Sequence, residues 1–142
     1  MRISDVLRTK GGEVVTIRTD ASVVDLLALL AEHRIGAVVV SDGDGDIAGI
    51  VSERDIVRHL HSDGREVLDV PVAQIMTSEV QTCEPHTELG DLERLMTESR
   101  IRHVPVVVDS KLSAIVSIGD VVKHRISDLQ AERDQLSAYI QQ

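Results

Sequence analysis

A mixed α/β (α+β) fold, in which one β-α-β-β-α unit is used twice, follows from two observations on the sequence. Residues 22–57 recur with the same apolar spacing in residues 88–122, at an offset of 66 between Ile35 and Ile101 and of 65 between Asp55 and Asp120. The residue lost between copies falls at a turn, so the order of elements is kept. Within each copy, an apolar stripe of helical period precedes two short apolar runs that flank a turn. Such a unit buries its apolar face against its twin, which places a shared function in the cleft between copies. At 142 residues the chain suits one domain, and half of it would be marginal alone. The repeat sets boundaries at 1–66 for the first copy, 67–126 for the second and 127–142 for a C-terminal helical extension, with both copies folding as one unit.

Each copy opens on a short apolar segment, residues 3–7 or 72–76, followed by a brief extended run, residues 14–17 or 80–83. The first helix carries Val23, Leu26, Leu27 and Leu30, matched by Leu89, Leu92, Leu95 and Met96, the spacing of a buried helical face. Strands at 37–41 and 47–51 flank Asp42-Gly43-Asp44-Gly45-Asp46, a turn whose glycines accept positive φ; strands at 104–108 and 112–116 flank the shorter Asp109-Ser110-Lys111. A second helix closes each copy, over 53–61 and from 118 onward. Residues 62–66 read as a polar linker, and Pro71 stops any helix from running through it. In the last helix, Val122, Ile126, Leu129, Arg133, Leu136 and Ile140 step by 4, 3, 4, 3 and 4. This seam suits a short coiled coil that joins two copies of the chain, and equally a helix folded back on its own domain.

Fifteen Lys and Arg against 24 Asp and Glu leave a net charge of −9, and Tyr139 is the sole aromatic side chain of the Phe, Trp and Tyr class. A nucleic-acid partner, which needs a basic footprint and stacking rings, is not expected, nor is an anionic membrane. No apolar run approaches the roughly 18 residues of a membrane span. The lone Cys83 allows no internal disulfide and the opening residues lack an apolar signal core, so a cytoplasmic setting is expected. Asp42, Asp44, Asp46 and Glu53 match a calcium loop in part, but Ile47 stands where the sharp turn needs glycine, and no metal is expected. Motifs of hydrolases, zinc proteases and phosphate-binding loops are absent.

The second strand of each copy runs into its helix through Ser52-Glu53-Arg54-Asp55 or Ser117-Ile118-Gly119-Asp120. Ser-x-x-Asp at a helix start acts as a capping box. The same geometry offers backbone N–H groups and a hydroxyl to a phosphate and a carboxylate to ribose hydroxyls, so cap and ligand site are compatible.

This doubled unit, with G-h-x-[S/T]-x-x-D after the last strand of the first copy, resembles the cystathionine-β-synthase (CBS) domain pair over residues 3–124. The resemblance implies two repeats packed about a pseudo-twofold axis. It also implies a regulatory module without catalysis, binding adenosine-containing ligands such as AMP, with NAD(H) among the candidates. Carried over by position, one cleft takes Ile50, Ser52 and Asp55 with Thr82, Arg102, His103 and Pro105, and a second takes Ile115, Ser117 and Asp120 with Thr16, Ile35, Gly36 and Ala37. The motif glycine, Gly49, is Ala114 in copy two, and the basic pair Arg102-His103 answers to Gly36-Ala37, so Arg54 is assigned to the second cleft's phosphate. Arg100, Arg102 and His103 concentrate positive charge in an acidic chain, which suits a compact anionic nucleotide in the first cleft, with His103 strengthening the contact as pH falls toward about 6.5. The second cleft is expected to be roomier. A homodimer and an unknown downstream protein are the implied partners. The alternatives are an interaction module whose clefts stay empty, and a small nucleotide hydrolase.

Overall fold

The Ser22 hydroxyl accepts the Asp25 N–H at 3.1 Å and the Asp25 carboxylate accepts the Ser22 N–H at 3.3 Å, so α2 (Val23–His33) begins on a capping box. The structure, a computed structural model, describes residues 1–11 and 14–141; Gly12, Glu13 and Gln142, the end of the predicted extension, lie outside the described residues. Helix α2 buries Val23, Leu26 and Leu30 and ends on Arg34 in the left-handed conformation; α4 (Leu89–Ser99) buries Leu89, Leu92 and Met96 and ends likewise on Arg100. Leu27, expected on the buried stripe, is exposed. Ahead of α2 lies α1 (Ile3–Lys10), a helix formed by the opening apolar segment.

Strand β1 (Thr16–Ile17) runs parallel to β2 (Ala37–Val40), which pairs antiparallel with β3 (Gly49–Ser52) in a three-stranded sheet. In the second copy β4 (His103–Val108) and β5 (Lys111–Ser117) form a two-stranded sheet. Residues 80–83, expected as that sheet's extra strand, contribute one parallel bridge between Cys83 and Val106. Pairing stops there because Pro85, two residues on, has no N–H to donate. Asp109 and Ser110, at φ 52° and 64°, make a two-residue turn and Lys111 joins the strand, one residue earlier than the sequence suggested. Helices α3 (Glu53–Asp63) and α5 (Ile118–Ile140) follow β3 and β5 directly.

The polar linker is not extended. Ser62 and Asp63 complete α3, and 3₁₀ turns over Gly64–Asp69 and Val72–Gln74 follow, because Val67 and Val72 have a core to enter. That core is the first copy's: Val67, Val72 and Ile75 pack with Val23, Leu26, Val38 and Val51. Reciprocally, Ile3 and Val6 of α1 pack with Leu89, Leu92, Val104 and Val116 of the second copy. Backbone bonds hold both exchanges: Val23 N–H to Val70 O (3.1 Å) and Val72 N–H to Ala21 O (2.7 Å), mirrored by Ile3 N–H to Thr87 O (3.0 Å) and Leu89 N–H to Met1 O (2.9 Å). Each copy's opening segment thus completes the other copy's core. The two hairpins also touch, with Lys111 paired to Asp46 at 2.8 Å and the Leu112 N–H donated to Gly45 O at 2.8 Å. Beyond Asp128, α5 carries Leu129, Leu136, Tyr139 and Ile140 at 60–79% exposure, so its seam does not fold back on the domain.

Candidate functional site

Helix α3 starts where β3 leaves the sheet. The Asp55 carboxylate accepts the Ser52 N–H at 2.9 Å through Oδ2, the Ser52 hydroxyl lies 3.1 Å from the same oxygen, and the Asp55 N–H points to that hydroxyl at 3.3 Å. The Glu53 N–H is donated to Gly36 O at 2.9 Å, which ties the helix start to the head of β2. Oδ2 is committed to the cap, and Asp55 lines a cleft of about 460 Å³. On its first-copy side this cleft is lined by Gly36, Ala37, Ile50, Ser52, Arg54, Asp55 and Arg58; on the other by Thr77, Glu79, Val80, Gln81 and residues 99–103. Its volume falls within the range of about 300–1,000 Å³ usual for small-molecule sites. Apolar Ile50, Val80 and Ile101 line it together with Arg54, Arg58, Arg100 and Arg102, a combination that suits a flat ring with an anionic tail.

The pseudo-equivalent start of α5 has the same cap, with Ser117 N–H to Asp120 Oδ2 at 2.9 Å and Asp120 N–H to the Ser117 hydroxyl at 3.2 Å. Its Ile118 N–H is donated to Arg102 O, the counterpart of the Glu53 bond to Gly36. Here the carboxylate is already occupied. Lys10, from the end of α1, reaches Asp120 Oδ2 at 2.6 Å and donates also to the Ile115 carbonyl. The neighbouring cleft is about 210 Å³, lined by Leu7, Lys10, Gly11, Val14, Ser113, Ala114 and Ile115. Burial raises the Asp120 pKa, but hydrogen bonds from Lys10 and Ser117 and the Lys10 charge outweigh it and hold the carboxyl below its usual range.

Ile50, Ser52, Asp55, Arg102 and His103, assigned together from the sequence, line one cleft. Thr82 and Pro105 do not: Thr82 is exposed beside the lining residue Gln81, and Pro105 is buried in β4 opposite Ile115, its carbonyl accepting the Cys83 N–H. Gly36, Ala37 and Arg54, assigned to the second cleft, line the first instead. The β2 and β4 heads meet near the axis relating the copies, and a Cβ on Gly36 would lie 3.7 Å from His103 Cε1. Ile115 does line the narrow cleft, Asp120 stands at its edge on Lys10, Ser117 caps α5, Ile35 packs on the first core, and Thr16 sits exposed in β1. The roomier second cleft is therefore corrected: the room lies in the first. Arg58 was missed, although its i, i+4 spacing from Arg54 signals a shared face. Lys10, about 110 residues from Asp120 in sequence, left no local signal. Burial, then the nearby Lys10 charge, hold the His103 pKa below its ordinary value despite Asp120 and Glu53.

Among the described residues no cluster of His, Cys, Asp and Glu side chains could hold a metal ion, and no helix is long and apolar enough to cross a membrane. Asp42 accepts from the Thr19 N–H and hydroxyl, which turns the partial calcium loop into an internal clamp.

The chain is similar to the CBS domain-containing protein CBSX3, mitochondrial, of Arabidopsis thaliana, 40% identical over 98% of this chain and 71% of that one. A CBS-domain protein structure from Agrobacterium tumefaciens superposes with a TM-score of 0.85 at 42% identity, covering 88% of this chain and 99% of that one. The CBS domain pair of protein MJ0100, solved with 5′-methylthioadenosine and S-adenosyl-L-methionine, shares the fold at a TM-score of 0.80 and 22% identity, over 90% of this chain and 98% of that one. The CBS domain family model matches twice, at residues 3–62 and 72–127, and with the paired sheets and reciprocal helix caps it shows that this chain belongs to the CBS-domain family as a pair of repeats.

Proposed function

We propose that this chain is a non-enzymatic regulatory module that binds an adenine nucleotide of the AMP type, with NAD(H) among the candidates, in the cleft of about 460 Å³ between its two copies. The carrying observation is the convergence, in that cleft, of the capped Ser52–Asp55 helix start with Arg102 and His103 of the other copy. In this reading Asp55 Oδ1 accepts the ribose hydroxyls, Ser52 and the α3 backbone face a phosphate, and the adenine lies on Ile50 without an aromatic partner. Adenosine ligands in the related fold of MJ0100 support the ligand class. The protein acts as a homodimer in the cytoplasm and passes its signal to a downstream protein. The narrow cleft is held by Lys10 and stays unoccupied until that ion pair opens.

A nucleotide bound only by the native state raises the melting temperature. A panel of AMP, NAD(H) and S-adenosylmethionine should therefore shift the wild type. Asp55→Ala should lose the shift and about tenfold or more in affinity, since hydrogen bonds to charged groups contribute about 1.5–3 kcal/mol. A second reading, an interaction module with empty clefts, is favoured by the use of both Ser-x-x-Asp units as helix capping boxes. It predicts no shift with any of these compounds, and a destabilised but otherwise unaltered Asp55→Ala.

A further inference from the structure

Helix α5 has two different sides. On one, Val121 is buried, His124 Nε2 lies 2.9 Å from the Thr9 hydroxyl and Arg125 pairs with Glu93 at 3.1 Å, so these residues hold the helix to its own domain. The other side, turned away by about 100°, carries Val122, Ile126, Leu129, Arg133, Leu136 and Ile140. Its five apolar residues are 47–79% exposed. Steps of 4 and 3 along it give a seven-residue period, that of a seam between two helices. The steps also read the same from either end, with Ala131 at the midpoint. A second α5 running antiparallel about that midpoint therefore meets every layer: Val122 faces the partner's Ile140, Ile126 the partner's Leu136, and Leu129 the partner's Arg133.

Arg133 separates the two possible orientations. In a parallel pair each residue faces its own counterpart, so two guanidiniums meet in the middle of an apolar seam, a like-charge contact that costs stability. In the antiparallel pair Arg133 faces a leucine and comes within about 4.5 Å, along the axis, of the partner's Glu132. Two arginines and two glutamates then gather as a neutral cluster about the twofold axis. Among the described residues Glu132 joins no ion pair, and Arg133 pairs only with its neighbour Asp134, at 3.4 Å on the exposed surface. The lengths agree too: the partner's helix, which ends at Ile140, stops level with Val122, one residue past the buried Val121. Antiparallel pairing also places two domains of an acidic chain at opposite ends of the seam, where they repel least. We infer that α5 pairs antiparallel with α5 of a second copy of this chain, centred on Ala131, and that Arg133 sets the orientation. The inference rests on the homodimer proposed above and adds its surface and its direction.

Disulfide trapping in the full chain tests it. Ile126→Cys and Leu136→Cys, one of them isotope-labelled, are oxidised separately and as an equal mixture, with light scattering on the reduced proteins. Both positions are exposed, so folding is spared, and the native Cys83 is buried away from the oxidant. In the antiparallel pair residues 126 and 136 face each other, whereas two residues 126, or two residues 136, stand about 15 Å apart, far beyond the roughly 7 Å between Cα atoms that a disulfide spans. The mixture should therefore give the mixed disulfide dimer, identified by its mass, and each variant alone almost none. Adding Arg133→Leu removes the like-charge contact, so that Leu136→Cys alone should begin to form dimers. Disulfide dimers of either single variant with Arg133 in place mean a parallel seam; they overturn the inference and leave the homodimer intact. A dimer mass by scattering with no disulfide of any kind puts the interface elsewhere, with the same consequence. Mixed dimers whose exclusivity survives Arg133→Leu overturn the role given to Arg133. A protomer mass for wild type and variants alike overturns both the inference and the homodimer.

Discussion

A Cβ built on Gly49 would lie 2.7 Å from Met76 Sδ and 2.7 Å from the Thr77 carbonyl oxygen. The sulfur can move, but the carbonyl belongs to a backbone bridge in which Ile50 and Thr77 exchange two bonds of 2.9 Å. Gly49→Ala should therefore cost about 1–3 kcal/mol, the usual range for overpacking, read as a lower midpoint in chemical denaturation. Ala114→Gly should cost no more than the roughly 0.5–1 kcal/mol of a glycine in regular structure. His103 makes a second residue-level prediction. Its folded pKa lies below the unfolded value of about 6.5, so it contributes stability that is complete above that pH and is lost as pH falls through the folded value. NMR titration should place its midpoint below 6.5, and His103→Gln should flatten the acid side of the stability profile. A midpoint at or above 6.5 would return His103 to the role of a cation near neutral pH. Burial likewise pushes the Cys83 thiol up to about 12, leaving it protonated and weakly reactive.

At the scale of the element, α5 is the helix without a complete set of partners. Val121 is its only buried residue, while Val122, Ile126, Leu129, Leu136 and Ile140 are the exposed apolar residues of the seam. A helix of 23 residues extends about 35 Å, well past the domain it starts on. Self-association through this seam, as in the proposed homodimer, would cover it. Light scattering should give the intact chain about twice the protomer mass and a chain ending at Ile126 a lower mass. Equal masses for the two would remove α5 from the interface.

For the whole molecule, the exchange of opening segments predicts that the two copies unfold as one cooperative unit. Ile3 is fully buried in the second copy's core although it belongs to the first copy by sequence. Ile3→Ala should cost about 2–5 kcal/mol and move a single unfolding transition, which far-UV circular dichroism follows since the chain has no tryptophan. Two separated transitions in that variant would show that the copies unfold independently.

The periodic features were legible in the sequence because they are local. Helix and strand patterns repeat every few residues and the Ser-x-x-Asp caps close over three, while the resemblance to the CBS pair grouped Ser52, Asp55, Arg102 and His103 in one cleft. What depended on contacts between distant segments was not. The ion pair of Lys10 with Asp120, the meeting of Gly36 with His103 and the passage of Val67 and Ile3 into each other's copy join segments that share no periodicity. Sequence by itself determined which unit is used twice and where α3 and α5 start, through hydrogen bonds reaching three residues. Only the tertiary structure decided that one cleft is open and the other held by a lysine, because the two faces of the pseudo-twofold axis receive different side chains once α1 has crossed to the second copy.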